Sequence, residues 1–182
     1  MHIGLDAWII QDGNYGEFET GREYRFALEF YPHHIVASGG LPTGQLSHIT
    51  DGLYDASGTI LFCSESAWVI DFGLPAFQEA KPPAWAKVGA SVVGRFYIGV
   101  DPFFYFEHLK DEPGMPNLFR QWVIRRIQLE TTPWQESTDE RGRKVRTRDT
   151  TRQSYVDVPA TDAWNHDGGH GHYVLECAPR TR

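Results

Sequence analysis

From Tyr24 to Tyr31 the chain alternates with a period of two. Tyr24, Phe26, Leu28 and Phe30 line one face, and Arg25, Ala27, Glu29 and Tyr31 line the other. Successive side chains of an extended strand point to opposite faces, so this is the pattern of a half-buried β-strand. Similar short runs recur along the chain, cut by turn residues. His2–Ile10 alternates and stops at Gln11-Asp12-Gly13-Asn14. A hairpin is expected around Asp55-Ala56-Ser57-Gly58, with strands at Leu53-Tyr54 and Thr59–Ser64. Trp68, Ile70 and Phe72 share one side of another short run. Val88–Asp101 reads as the longest strand, with Ala90, Val92, Phe96, Ile98 and Val100 together and Gly94 and Gly99 interrupting. Glycine inside a strand marks a bulge or bend, the device that curls a sheet.

The rest of the chain is less regular. His33–Asp51 reads largely as loop, and Phe103–Phe106 is too short for its period to decide. Leu118–Glu130 is expected as a strand with Phe119, Val123, Ile127 and Leu129 on one face, although a helical stripe through Leu118, Trp122, Arg125 and Leu129 rivals it. Residues 131–158 are polar, with a hairpin tip at Asp139-Glu140-Arg141-Gly142, and His172–Cys177 is a last strand. The expectation is one all-β domain over 1–182 with little helix. Its architecture is a partly closed antiparallel barrel, similar to the oligonucleotide-binding barrel with extensions, or a β-sandwich, with a basic arm near 131–158. Aromatics at 14%, with 18 Gly and 11 Pro, agree with that class.

Charge narrows the partners. The net charge is −7, which argues against a general duplex-DNA binder. Arg120–Arg152 nevertheless holds nine Lys/Arg against five Asp/Glu, a local +4, and leaves −11 on the remainder. Cys63 and Cys177 are far apart and form no metal or redox pair. The N-terminal MHIGLDAWII has no basic region or long apolar run, so the expected location is the cytoplasm, away from membranes.

Local catalytic motifs are few. Gly39–Leu46 keeps the glycine spacing of a phosphate loop, but Gln45 and Leu46 replace the lysine and the hydroxyl residue. No Gly-x-Ser-x-Gly elbow, dinucleotide fingerprint or His-Glu-x-x-His occurs. The densest chemical signal is His166-Asp167-Gly168-Gly169-His170-Gly171-His172. Within it, His170, His172 and Glu176 form His-x-His-x-x-x-Glu, which resembles the first metal motif of the cupin family. That resemblance implies an all-β metal-dependent enzyme holding a divalent cation on these three residues. Trp164 stands where the family pattern has glycine, and no second motif follows. Strand alternation also puts 170, 172, 174 and 176 opposite Tyr173, Leu175 and Cys177, the apparent core face.

Three functional expectations follow. The leading one is a non-catalytic binding domain for a protein partner, of the inhibitor or immunity kind, because no catalytic motif is complete and an aromatic-rich acidic body suits a protein interface. The second is a single-stranded nucleic-acid binder that stacks bases on Trp122 beside Arg125 and Arg126 and uses Arg143, Lys144, Arg146 and Arg148 for phosphates. The third is the cupin-like enzyme with a divalent metal on His170, His172 and Glu176; otherwise no cofactor is expected.

Overall fold

The computed structural model describes residues 1–40 and 44–180. Thirteen strands are present among them: β1 (His2–Asp6), β2 (Glu23–Phe26), β3 (Leu28–Ser38), β4 (Gln45–Thr50), β5 (Leu53–Cys63), β6 (Trp68–Asp71), β7 (Pro75–Gln78), β8 (Ser91–Val100), β9 (Arg120–Glu130), β10 (Trp134–Thr138), β11 (Lys144–Arg148), β12 (Tyr155–Val158) and β13 (His172–Pro179). A single helical turn, α1 (Ala7–Gln11), follows β1, and one π-helical turn spans Tyr105–Leu109. The protein is all-β, as the alternation predicts, and contains a closed five-stranded barrel plus additional strands.

The barrel runs β8–β3–β7–β6–β5 and closes where β5 pairs with β8. Its walls are antiparallel except at β3–β7, which meet in parallel at Glu29 and Phe77. Closure abolishes two sheet edges that would otherwise be open. The lumen is packed with aromatic rings: Phe30 meets Trp68, Phe72 and Phe96 edge-on or tilted at 5.0, 5.9 and 5.7 Å between centroids. Such geometries suit the ring quadrupoles and add to the gain from burial.

β8 is longer than the barrel is tall. Beyond Tyr97 its free edge leaves β5 and takes up β1 in parallel at Gly4 and Gly99. A second layer grows from there in the order β8–β1–β13–β9–β12, with β2 also on β9. Ile3, Leu5, Trp122, Ile124, Ile127, Tyr173 and Leu175 fill its inner face and join the barrel core. A smaller cluster of Ala27, Phe62, Val69, Phe77, Tyr105, Leu109 and Leu118 lies under the π-helical turn.

Four sequence expectations are corrected. The alternation of His2–Ile10 does not hold to its end, because the strand stops at Asp6 and α1 begins. There is no turn at Asp55–Gly58: β5 runs straight through it, and the hairpin partner is β4, joined by Asp51-Gly52. Gly58 is instead a close approach, since a Cβ there would stand 2.6 Å from the carbonyl oxygen of Asp71. His33–Asp51 is mostly strand rather than loop, in β3 and β4. In β9 the buried residues are Trp122, Ile124, Ile127 and Leu129, because the register against β13 slips by one residue. Glu176 pairs with Arg126 and Cys177 with Ile124, so Arg125 is the extra residue of a β-bulge. One inserted residue flips every later side chain to the other face. Residues 41–43 of the Gly39–Leu46 loop lie outside the described residues. No helix among the described residues is long and apolar enough to cross a membrane.

Candidate functional site

The point where β8 exchanges β5 for β1 collects a hydrogen-bonded cluster of polar side chains. Three elements meet there, and each contributes through a local feature. The β4–β5 turn holds Asp51 in the left-handed region (φ 49°), which Asp tolerates better than most residues. Its Oδ1 accepts the Gly52 N–H at 2.7 Å, and the Gly52 carbonyl accepts the Ile98 N–H at 2.8 Å, tying the turn to β8. β1 presents Asp6 directly opposite His172 of β13. β8 lays the Tyr97 ring across Gly4, where any Cβ would overlap the Tyr97 hydroxyl.

His172 is the centre. Its Nδ1 is 2.7 Å from Asp6 Oδ1, and its Nε2 is 2.9 Å from Asp51 Oδ2. The Tyr97 hydroxyl lies 3.2 Å from the same Nε2 and donates to Asp51 Oδ1 at 3.4 Å. Burial alone would lower the proton affinity of the imidazole. The hydrogen bonds and charges of Asp51 and Asp6 outweigh it and push the pKa up to about 10. Burial, then the charge of Asp51, holds the Tyr97 phenol well above its ordinary value. At neutral pH the cluster is an imidazolium whose two N–H groups are both committed to carboxylates. Such a ring has no lone pair for a proton or a metal ion. It is an electrostatic clamp joining β1, β13 and the β4–β5 turn.

A cavity of about 200 Å³ adjoins the clamp, lined by His2, His48, Thr50, Gln128, Tyr155 and Val174 among others. The His2 and His48 rings stack at 4.3 Å, and burial, then the neighbouring His48, lowers the pKa of His2. On the other side of Tyr97 lies a buried carboxyl, Glu29, 3% exposed and hydrogen-bonded by the Tyr31 hydroxyl at 2.6 Å. Burial pushes its pKa up to about 7 and that of the fully buried Asp101 up to about 6.

The outer face of β3–β8–β5–β4 forms an open trough of about 900 Å³, lined among others by His34, Ser47, Asp55, Ser57, Val93 and Arg95. The Arg95–Asp55 ion pair, 2.9 Å, crosses its floor. Its far bank is β4, which ends the sheet and, among the described residues, pairs only with β5. Gln45–Thr50 contains no Lys, Arg, Asp, Glu or Pro, and every position is exposed or partly exposed. Natural edge strands are usually blunted by charge, proline or a covering element.

The residues singled out from the sequence are scattered over three places. Trp122 is 0% exposed and stacks on Phe26, with its indole N–H donating to the Phe26 carbonyl at 3.2 Å. The expected stacking platform is therefore a core residue, put inside by the Arg125 bulge. Arg125 and Arg126 are exposed, and Arg126 is paired with Asp157 at 2.7 Å. Arg143 is paired with Asp139, and Arg148 with Asp167 and Glu130. Lys144 and Arg146 form no ion pair among the described residues. His170, His172 and Glu176 do not converge. His170 is exposed in the loop before β13, Glu176 stands opposite His2, and His172 is enclosed by its two carboxylates. The three do not fit a cupin-like metal, and no group of three His, Cys, Asp or Glu among the described residues is placed to hold an ion. Asp6, Asp51 and Tyr97 were not legible as a site, and no local motif marks them.

Comparisons with protein-family models, with curated proteins and with solved structures find no match to this chain.

Proposed function

We propose that this chain is a non-catalytic recognition domain for a protein partner, and that an extended segment of that partner lies in the trough and adds to β4 as a further strand. The observation that carries this reading is the uncharged β4 edge, without a further strand among the described residues, forming one bank of a wide trough. A free edge offers backbone N–H and C=O groups that only another strand satisfies in register, and alternate side chains of that strand would point into the trough.

The test is selection of a phage-displayed random peptide library on the whole chain, with Ser47→Lys/Ile49→Lys as the comparison. Both side chains are exposed, Ile49 at 41%, so the fold is kept while the edge gains the charges that deter strand addition. Enriched peptides should bind the native chain and lose at least about tenfold in affinity for the variant. Peptides that bind both equally would remove β4 and the trough from the proposal.

A further inference from the structure

The β10–β11 hairpin forms its own two-stranded ladder, from Trp134 opposite Arg148 to Thr138 opposite Lys144. One loop residue docks it to the body. Asp167 is in the left-handed region at φ 52°, followed by Gly168 and Gly169 with φ 64° and 85°. This conformation turns its carboxylate toward the hairpin. There it accepts the Trp134 indole N–H at 2.9 and 3.1 Å and the Arg148 guanidinium at 2.6 Å. Arg148 also lies 4.0 Å over the Trp134 ring, donates to the Thr132 carbonyl at 2.7 Å and stands 3.6 Å from Glu130. Its charge, and that of Asp167, are thereby spent within the protein.

Beside this joint is a notch of about 270 Å³ lined by Trp134, Arg146, Asp167 and His170. Its charge balance is distinctive. Arg146 lies 5.4 Å from the Trp134 ring centre and has no carboxylate within ion-pair distance among the described residues, although Glu136 is opposite it in the ladder. Trp134 is 36% exposed, and the His170 ring stands exposed on the far wall. Arg141 and Lys144, nearer the hairpin tip, also lack ion-pair partners among the described residues. The notch therefore offers an aromatic surface, an unspent guanidinium and an imidazole, with its one acid already neutralised.

Flat rings stack on tryptophan, and guanidinium groups bind phosphate oxygens in a bidentate fork. The volume, at the low end of small-ligand sites, suits a base with its sugar. We propose that this notch binds a nucleotide unit, its base against Trp134 and its phosphate on Arg146. The unit is either a free mononucleotide or one residue of a single strand whose neighbouring phosphates run toward Lys144 and Arg141. This surface is separate from β4 and the trough, so the inference stands or falls independently of the protein-partner reading.

The experiment is fluorescence anisotropy of a fluorescein-labelled oligothymidylate with the whole chain at low salt, competed by thymidine monophosphate. Saturable binding is expected. Arg146→Gln should weaken it by about tenfold or more, the effect of losing a charged phosphate contact. The slope of log affinity against log salt should fall by about 0.7, the value of one phosphate on a single strand. Trp134→Phe keeps a ring and should retain most of the binding, whereas Trp134→Leu should not. Competition by the monophosphate at concentrations comparable to the oligonucleotide assigns a mononucleotide site; failure of that competition assigns a single strand. Absence of binding at low salt, or binding that Arg146→Gln leaves unchanged, overturns the proposal.

Discussion

Asp51→Asn tests whether the clamp around His172 stabilises the fold electrostatically. Asn is close to isosteric, accepts the left-handed conformation as readily as Asp, and can still accept the Gly52 N–H. The substitution removes the charge and also the acceptor for the His172 Nε2–H, because the amide nitrogen that replaces Oδ2 can only donate. In the folded chain His172 holds its proton to about 10, against 6.5 for an unperturbed imidazole. The stabilisation is thus complete below pH 6.5 and is lost as pH rises toward 10. At about 1.4 kcal/mol per pH unit, the gap corresponds to about 5 kcal/mol at most. Asp6 is 54% exposed along its side chain and screened by solvent, whereas Asp51 is 15% exposed, so the larger part belongs to Asp51. The variant should lose about 2–3 kcal/mol at pH 7 in urea unfolding followed by circular dichroism. Between pH 7 and pH 9 the native protein should lose about 2.5 kcal/mol from this group, and the variant about 1 kcal/mol. Thiol ionisation contributes equally to both proteins and cancels in the comparison. Equal losses over that window, or a native stability that does not fall, would refute the assignment.

Two further outcomes follow from the same region. Glu29→Gln keeps an acceptor for the Tyr31 hydroxyl and removes a carboxyl whose pKa burial raises to about 7 from 4.5. A raised carboxyl costs stability as pH climbs through that interval, so the variant should be about 1–3 kcal/mol more stable at pH 8, with the gain shrinking toward pH 4.5; a destabilised variant at pH 8 would contradict this. Gly4→Ala places a methyl group on the Tyr97 hydroxyl and should cost about 1–3 kcal/mol through displacement of that ring, read as a fall of several degrees in Tm. A Tm within about one degree of native would mean that the ring moves freely.

What could be read from the residues alone follows the reach of local patterns. The face of β8 was legible because Val92, Phe96, Ile98 and Val100 alternate over a long enough run and are buried as read, whereas the half-buried strand expected over Tyr24–Tyr31 breaks at Ala27 into β2 and β3, which pair with β9 and β8, and both Ala27 and Glu29 of its expected outer face are buried. Trp122 was misread because periodicity counts residues, and Arg125 adds one that no partner strand matches. Gly58 looked like a turn because tight packing and reversal both demand a missing side chain. Placing the turn there hid Asp51-Gly52, the actual reversal, and with it the clamp. His172 did stand out in the sequence, but for the neighbouring histidines. Its partners are 166 and 121 positions away, and nothing local announces a pairing that only the meeting of β1, β13 and the β4–β5 turn creates. Barrel closure through β5–β8 and the parallel β3–β7 contact in its wall were likewise invisible, since alternation does not specify which strand is next to which.

The place of β1 between β8 and β13 has a consequence for how the molecule comes into being. This strand is made before either of its neighbours, one of which follows about ninety residues later and the other about one hundred and seventy. Until both have been made, Ile3, Leu5 and the apolar side of α1 have nothing to lie against. The order of biosynthesis therefore runs opposite to the order of completion: the barrel can close on its own strands while β1 waits. Between the making of β1 and that of β13 a nascent chain of this kind displays an uncovered apolar strand, and its need for a chaperone should be concentrated there, relieved only when β13 emerges and locks it in place.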